Sequence, residues 1–167
     1  MLLPRAAFAA LLALVVSSPS TLAQENPEGM MIHDPYARVV GGIGASGAVY
    51  FTLHNHSEND IILTGVSSDL AEMAGVHTNL ETADGMMKMI PVDGGIAVPA
   101  GQEYVFAGGA DHIMLMGLTK ALKNGDTITV TLTFDHASPL TFNAVIDNAR
   151  LPGPAMAHDH SAMTPSP

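Results

Sequence analysis

The chain has 167 residues, with 6 Lys and Arg residues against 16 Asp and Glu residues and a formal charge of -10 at pH 7. This length suits one domain with a hydrophobic core, and the acidic balance argues against partners such as nucleic acid or anionic membrane surfaces. The absence of cysteine excludes disulfides, thiolate metal sites, a blue-copper centre and a cysteine-linked lipoprotein anchor.

Residues 1–23 have the pattern of a secretory signal peptide. Arg5 gives a charged start, an apolar run covers residues 6–16, and Thr21-Leu22-Ala23 supplies a cleavage pattern of small residues. The apolar run is too short to span a membrane. We therefore expect cleavage after Ala23, export, and no membrane insertion once the signal is removed.

After a polar lead-in over residues 24–33, the domain is predicted to cover residues 34–150 and to be all-β. Strand patterns occupy residues 48–55, 61–66, 103–106, 112–118, 126–134 and 140–146, with shorter extended runs at 75–78 and 86–92. Residues 69–74 are compatible with one helical turn. Frequent turn signals and the lack of a long amphipathic helix predict a Greek-key β-sandwich or barrel.

Residues 112–116 read His-Ile-Met-Leu-Met and supply the first candidate ligands. Alternate side chains share one face of a strand, so His112 and Met114 point the same way. Upstream lie His77 and the segment Met87-Lys88-Met89, whose two methionines also share a face. Imidazoles and thioethers without thiolates favour Cu(I) over Zn²⁺, Ca²⁺ and Mg²⁺.

The same residues have a simpler explanation, because methionine commonly fills hydrophobic cores. On that interpretation the protein is a metal-free β-sandwich adaptor. His112 argues against it, since a core histidine normally needs polar partners for its ring nitrogens. No nucleophile or acid–base pair accompanies the ligands, so we expect metal carriage without turnover and not an enzyme.

Residues 151–167 are predicted to be a flexible tail, rich in proline, with its own metal ligands. These are Met156, His158, His160 and Met163. Two histidines beside an acidic residue suit Cu(II), which makes the tail a candidate second site. His33 with Met30 and Met31 is a weaker candidate, and His54 and His56 are expected to be solvated.

The run from Gly47 to Phe134 resembles the PCuAC family of periplasmic copper chaperones, which have a cupredoxin-like β-sandwich. The family's pattern of a His, a Met and a His-x-Met is matched here by His77, eleven intervening residues, Met89, twenty-two more residues and His112-Ile113-Met114. The segments Gly94-Gly95-Ile96 and Val98-Pro99-Ala100-Gly101 are also similar to the family.

The resemblance implies His77, Met89, His112 and Met114 as the Cu(I) ligands. The first spacing looks one residue longer than usual, so Met87 is the alternative third ligand, although the alignment of Met87-Lys88-Met89 as a block favours Met89. The resemblance also implies a periplasmic protein that delivers copper toward the binuclear copper centre of cytochrome c oxidase. Its partners would be the oxidase subunit that holds this centre and Sco-type copper proteins. Copper storage or detoxification is the alternative function.

Overall fold

The computed structural model describes residues 24–25 and 29–151, and this part of the chain forms β-strands and no helix. The strands are β1 (Gln24–Glu25), β2 (Met30–Val39), β3 (Gly47–Asn55), β4 (Ile61–Ser68), β5 (Ala71–Glu81), β6 (Met87–Pro91), β7 (Ile96–Val98), β8 (Glu103–Phe106), β9 (His112–Leu118), β10 (Thr127–Phe134) and β11 (Leu140–Ile146). No helix long and apolar enough to cross a membrane is found among these residues. The all-β prediction is confirmed, whereas the predicted signal peptide lies outside the described residues.

The strands form one hydrogen-bonded sheet in the order β6-β5-β9-β3-β2-β11-β10-β4-β7, with β1 added to β2 and β8 added to β3. The pairing of β2 with β11 is parallel, and the other described pairs are antiparallel. Neighbours such as β5 and β9 are not consecutive in the chain, so the connections cross over as in a Greek-key sandwich. The predicted cupredoxin-like architecture is therefore confirmed.

A single hydrophobic core receives buried side chains from every strand between β2 and β11 except β5 and β6. β10 shows the pattern most clearly, because Ile128, Val130 and Leu132 are fully buried while the threonines between them are not. Each such side chain contributes about 1.5–3 kcal/mol when it leaves water. A slip of one residue would move the whole apolar row into solvent, which fixes the register of β10.

β5 and β6 form a hairpin at one edge of the sheet. β5 pairs with β9 only as far as His77, which lies opposite His112, the first residue of β9. Beyond that point β5 pairs with β6 alone. We call residues 78–90 the overhanging hairpin, because they extend past the end of β9.

The helical turn expected for residues 69–74 is wrong. β5 already begins at Ala71, which pairs with Leu118 of β9, and Met73 pairs with Met116. One helical turn gains little because nucleation is costly, whereas this segment can complete a ladder with a central strand. Long-range pairing therefore overrides the local preference.

β2 starts at Met30 and contains a bulge at Asp34-Pro35, where it has one residue more than the facing part of β3. Asp34 adopts a φ of 53°, a left-handed conformation that aspartate tolerates better than most residues. Its carboxylate accepts hydrogen bonds from the guanidinium of Arg150, which lowers the pKa of Asp34. This ion pair joins the bulge to the segment that follows β11.

Candidate metal centre

The predicted ligands of the domain lie on one face of three neighbouring strands. His77 of β5 is directly opposite His112 of β9. Met114 is two residues beyond His112 on the same strand, and Met89 of β6 is opposite the residue two beyond His77. Residues two apart on a strand share a face, and so do directly paired residues. All four side chains therefore project from the same side of the sheet.

Gly75 keeps the space between His77 and Met114 free of a side chain. It lies opposite Met114, and a Cβ built on it would be 3.9 Å from Cε1 of His77. The imidazole of His77 thus leans along β5 toward the row of Met114. Sequence analysis did not single out Gly75, although a glycine inside a strand often marks a close approach.

The candidate ligands range from buried to exposed. His112 is 3% exposed and Met89 is 45% exposed, while His77 and Met114 are half-buried. Met30 is the only described methionine in the hydrophobic core. Burial therefore contradicts the interpretation in which the ligand methionines are core fillers, and the face opens to solvent at the overhanging hairpin.

Both histidine rings are oriented by backbone carbonyl groups two residues earlier in the chain. Nδ1 of His112 lies 2.9 Å from the carbonyl oxygen of Ala110, and Nδ1 of His77 lies 3.5 Å from that of Gly75. A carbonyl oxygen only accepts, so Nδ1 is the donor in these contacts, and Nε2 is the ring nitrogen left to face a metal ion. A contact of this kind fixes the ring and the tautomer of a metal-binding histidine.

The residue before His112 is held by the loop between β8 and β9. The buried carboxylate of Asp111 accepts a hydrogen bond from the hydroxyl of Tyr104, and its carbonyl accepts one from the N–H of Ala107 at 2.9 Å. Burial and this hydrogen bond raise the pKa of Tyr104, which keeps its hydroxyl protonated as the donor. His112 is therefore positioned by a fixed loop and not by a flexible one.

The donor set is neutral and soft. The candidate ligand atoms are two imidazole nitrogens and two thioether sulfurs, and the ring of Tyr50 lies 6.1 Å from that of His112. Burial raises the pKa of Tyr50, so this neighbour is also uncharged. Neutral nitrogen and sulfur ligands suit Cu(I), whereas thioethers are poor ligands for Zn²⁺ and oxygen-seeking cations.

The remaining predicted ligands have different fates. Met87 lies on the same face but opposite Glu81, two residue pairs further from His77 than Met89 is. The four residues of the tail candidate lie outside the described residues, and these are Met156, His158, His160 and Met163.

The structure brings together three histidines that sequence analysis did not combine. Ring nitrogens of His33, His54 and His56 all lie within 4.8 Å of one another. The sequence had grouped His33 with Met30 and Met31, but Met30 is fully buried in the core. No local spacing links His33 to the other two histidines, because the group depends on the pairing of β2 with β3.

Comparison with known proteins supplies a family. Residues 30–146 match the family described as "Putative lipoprotein LpqE-like". A curated relative, "Putative lipoprotein Lxx21020" of Leifsonia xyli subsp. xyli (strain CTCB07), is 30% identical over 111 residues. These residues are 66% of this chain and 65% of that protein, so the match spans slightly less than two thirds of the relative's length.

Solved structures with a similar fold are PCuAC domains and a Cu(I)-bound protein. The "Copper-bound PCuAC domain from PmoF2" gives a TM-score of 0.56 at 21% identity and covers 71% of this chain and 92% of that chain. The "Solution structure of CuI-DR1885 from Deinococcus Radiodurans" gives a TM-score of 0.51 at 28% identity and covers 78% and 84%. At 21% identity the first likeness is one of fold.

Proposed function

This chain belongs to the LpqE-like, PCuAC-type family, and we propose that it is an exported copper chaperone that carries Cu(I). The observation that carries the proposal is the shared face of His77, Met89, His112 and Met114. The names of two structural relatives state that copper or Cu(I) is bound to those proteins. In this chain, two imidazoles and two thioethers fit the same ion.

We assign the third ligand to Met89 in preference to Met87. His77 is paired with Pro91 of β6. Met89 is two residues from Pro91 along that strand, which is one step on the same face, and Met87 is four residues away, which is two steps. Each step is about 7 Å along the strand. A methionine that leans along the strand can reach across one step, and this supports Met89.

A carrier role suits the burial and the neutrality of the ligands. The side of Cu(I) that faces Met89 would be open to an approaching protein, whereas His112 anchors the ion at the sheet. Neutral thioethers can be replaced one at a time by stronger thiolates of an acceptor. No nucleophile or acid–base pair belongs to the proposed ligand set, so we propose transfer of the ion and no catalytic turnover.

The further steps are part of the same proposal and rest on the family. The protein would act in the periplasm and deliver copper toward the binuclear copper centre of cytochrome c oxidase. The oxidase subunit that holds this centre and Sco-type proteins would be its partners. The tail histidines His158 and His160 would add a Cu(II) site beside the Cu(I) site.

A competition titration with a chromogenic Cu(I) chelator tests the site. We expect one tight equivalent in the full chain, and a loss of at least tenfold in affinity in His112→Ala and Met114→Ala. Urea unfolding of both variants serves as the control for folding. Unchanged affinity in both variants would rule out this ligand set.

Copper storage is the second candidate, and the exposed methionines favour it. Met73, Met86 and Met87 are each more than 60% exposed, so several thioethers outside the proposed ligand set can meet metal. Storage predicts more than one tight Cu(I) per chain and retention of the ion beside an acceptor. A chaperone predicts one tight ion that passes to the apo copper domain of the oxidase subunit.

A further inference from the structure

The three histidines His33, His54 and His56 form a cluster on the outer side of the sheet, which we call the histidine cluster. His33 lies on β2, His54 on β3 and His56 in the turn after β3. The ring centroids of His54 and His56 are 3.8 Å apart with the ring planes tilted by 37°, and the ring of His33 is 6.2 Å from that of His54. The proposed Cu(I) ligands include none of these residues.

We propose that the histidine cluster is a binding site for a divalent first-row transition-metal ion, and that it binds Cu(II) most tightly. All three rings have a nitrogen within 4.8 Å of the others. Metal–nitrogen bonds of about 2.0–2.1 Å bring such atoms to about 3.3 Å apart in a tetrahedral site and about 4.1 Å when they are trans. A movement of about 1 Å by the exposed rings of His33 and His56 toward the half-buried ring of His54 therefore completes the site.

The cluster is supported by fixed backbone on both strands. Asn55, between His54 and His56, is fully buried, and its amide donates to the carbonyl groups of Asn59 at 2.8 Å and Val98 at 3.0 Å. The N–H of His56 donates to the carbonyl of Gly29 at 2.8 Å. The turn that carries His56 is thus held before any ion arrives, which reduces the cost of ordering a ligand.

His33 reaches the cluster through the register of β2. It pairs with Thr52, so His54 is its diagonal neighbour, and the bulge follows directly at Asp34-Pro35. Bulges re-aim side chains and are common beside functional sites. On the other side of β3, Glu103 is paired with His54, and its carboxylate adds negative charge to the same face.

The chemistry of the cluster separates it from the Cu(I) site. Three imidazoles beside a carboxylate suit a divalent ion, and among such ions Cu²⁺ binds nitrogen ligands most tightly. Along β3, His54 is four residues from Tyr50, which neighbours His112, and this corresponds to about 13 Å. The two sites therefore cannot share one ion, and the proposal does not depend on the Cu(I) site.

The test uses Cu(II) added to the full chain in which His158→Ala and His160→Ala remove the tail histidines. Into this parent we introduce His33→Gln, His54→Gln or His56→Gln, with His136→Gln as the matched control because His136 is an exposed histidine outside the cluster. The readouts are Cu(II) affinity against a competing chelator and the number of bound imidazoles from pulsed electron paramagnetic resonance.

We expect three imidazoles on Cu(II) in the parent and two in each cluster variant, with a loss of at least tenfold in affinity. The His136→Gln variant should keep both values, and urea-unfolding midpoints close to that of the parent in every variant would show that folding is intact. Identical imidazole counts and affinities in the parent and all three cluster variants would overturn the proposal.

Discussion

The register of the overhanging hairpin leads to a prediction about two methionines of the same type, strand and face. Met89 and Met87 are both exposed, at 45% and 62%, but their partners on β5 are Asn79 and Glu81. They therefore lie about 7 Å and about 14 Å along the strand from the row of His77. Met89→Leu removes a sulfur within reach of a shared ion, whereas Met87→Leu removes one beyond it.

We expect Met89→Leu to weaken Cu(I) binding by about 10–100-fold, which is about 1.4–2.7 kcal/mol, because one of the four proposed ligands is lost. Met87→Leu should leave the affinity within about twofold, a change of less than about 0.5 kcal/mol. The assay is anaerobic competition with a chromogenic Cu(I) chelator. Leucine has a volume close to that of methionine, so urea unfolding should give nearly equal midpoints for both variants.

The opposite result, in which Met87→Leu weakens binding and Met89→Leu does not, would refute the use of register to choose the ligand. Equal losses in both variants would mean that the hairpin shifts its pairing when metal binds. Full affinity in both variants would remove the hairpin from the proposed site and leave only the ligands of β5 and β9.

Three further predictions concern stability, measured by urea unfolding. Gly117→Ala should lower the free energy of unfolding more than Gly125→Ala does. Both glycines have a positive φ, which destabilises alanine by about 1–2 kcal/mol, but only at Gly117 would the new Cβ lie 2.8 Å from a glutamate oxygen. Equal losses in the two variants would contradict this contact. Tyr104→Phe should cost about 1–3 kcal/mol, since a buried carboxylate loses its donor; no loss would mean that Asp111 is satisfied without it. Arg150→Met should cost at most about 1 kcal/mol through its exposed ion pair. The ion pair lowers the pKa of Asp34, so its contribution to stability is present above the unfolded-state pKa of Asp34 and is lost as the pH falls through the folded-state pKa. A destabilisation by Arg150→Met that grows toward acid pH would therefore contradict the pairing.

Much of the fold could be predicted because the strand signals are local. In β10 the alternation of threonine with apolar residues alone indicates which face is buried. The start of β5 could not be predicted in this way, because residues 71–74 become strand only through pairing with β9. The edge position of β5 and β6 has the same origin in long-range pairing.

The candidate sites were likewise predictable where they depend on local alternation, and unpredictable where they depend on long-range strand pairing. His112 and Met114 share a face by strand alternation, so their common direction could be predicted without a structure. The direct pairing of His77 with His112 needs the register of two strands that are far apart in the sequence. The histidine cluster could not be foreseen, because His33 joins His54 only through the pairing that precedes a bulge.

The overhanging hairpin has a consequence for the kinetics of copper release. Its amides are hydrogen-bonded through the pairing of β5 with β6 alone, and none of its side chains belongs to the hydrophobic core. The hairpin can therefore open at a small fraction of the free energy of global unfolding. An ion bound by Met89 and His112 would tie the hairpin to β9 and slow that opening. Hydrogen exchange at hairpin amides such as Leu80 would then report copper occupancy, while exchange at core amides would not. Release would be gated by a local fluctuation, and the domain could discharge its ion without losing its fold.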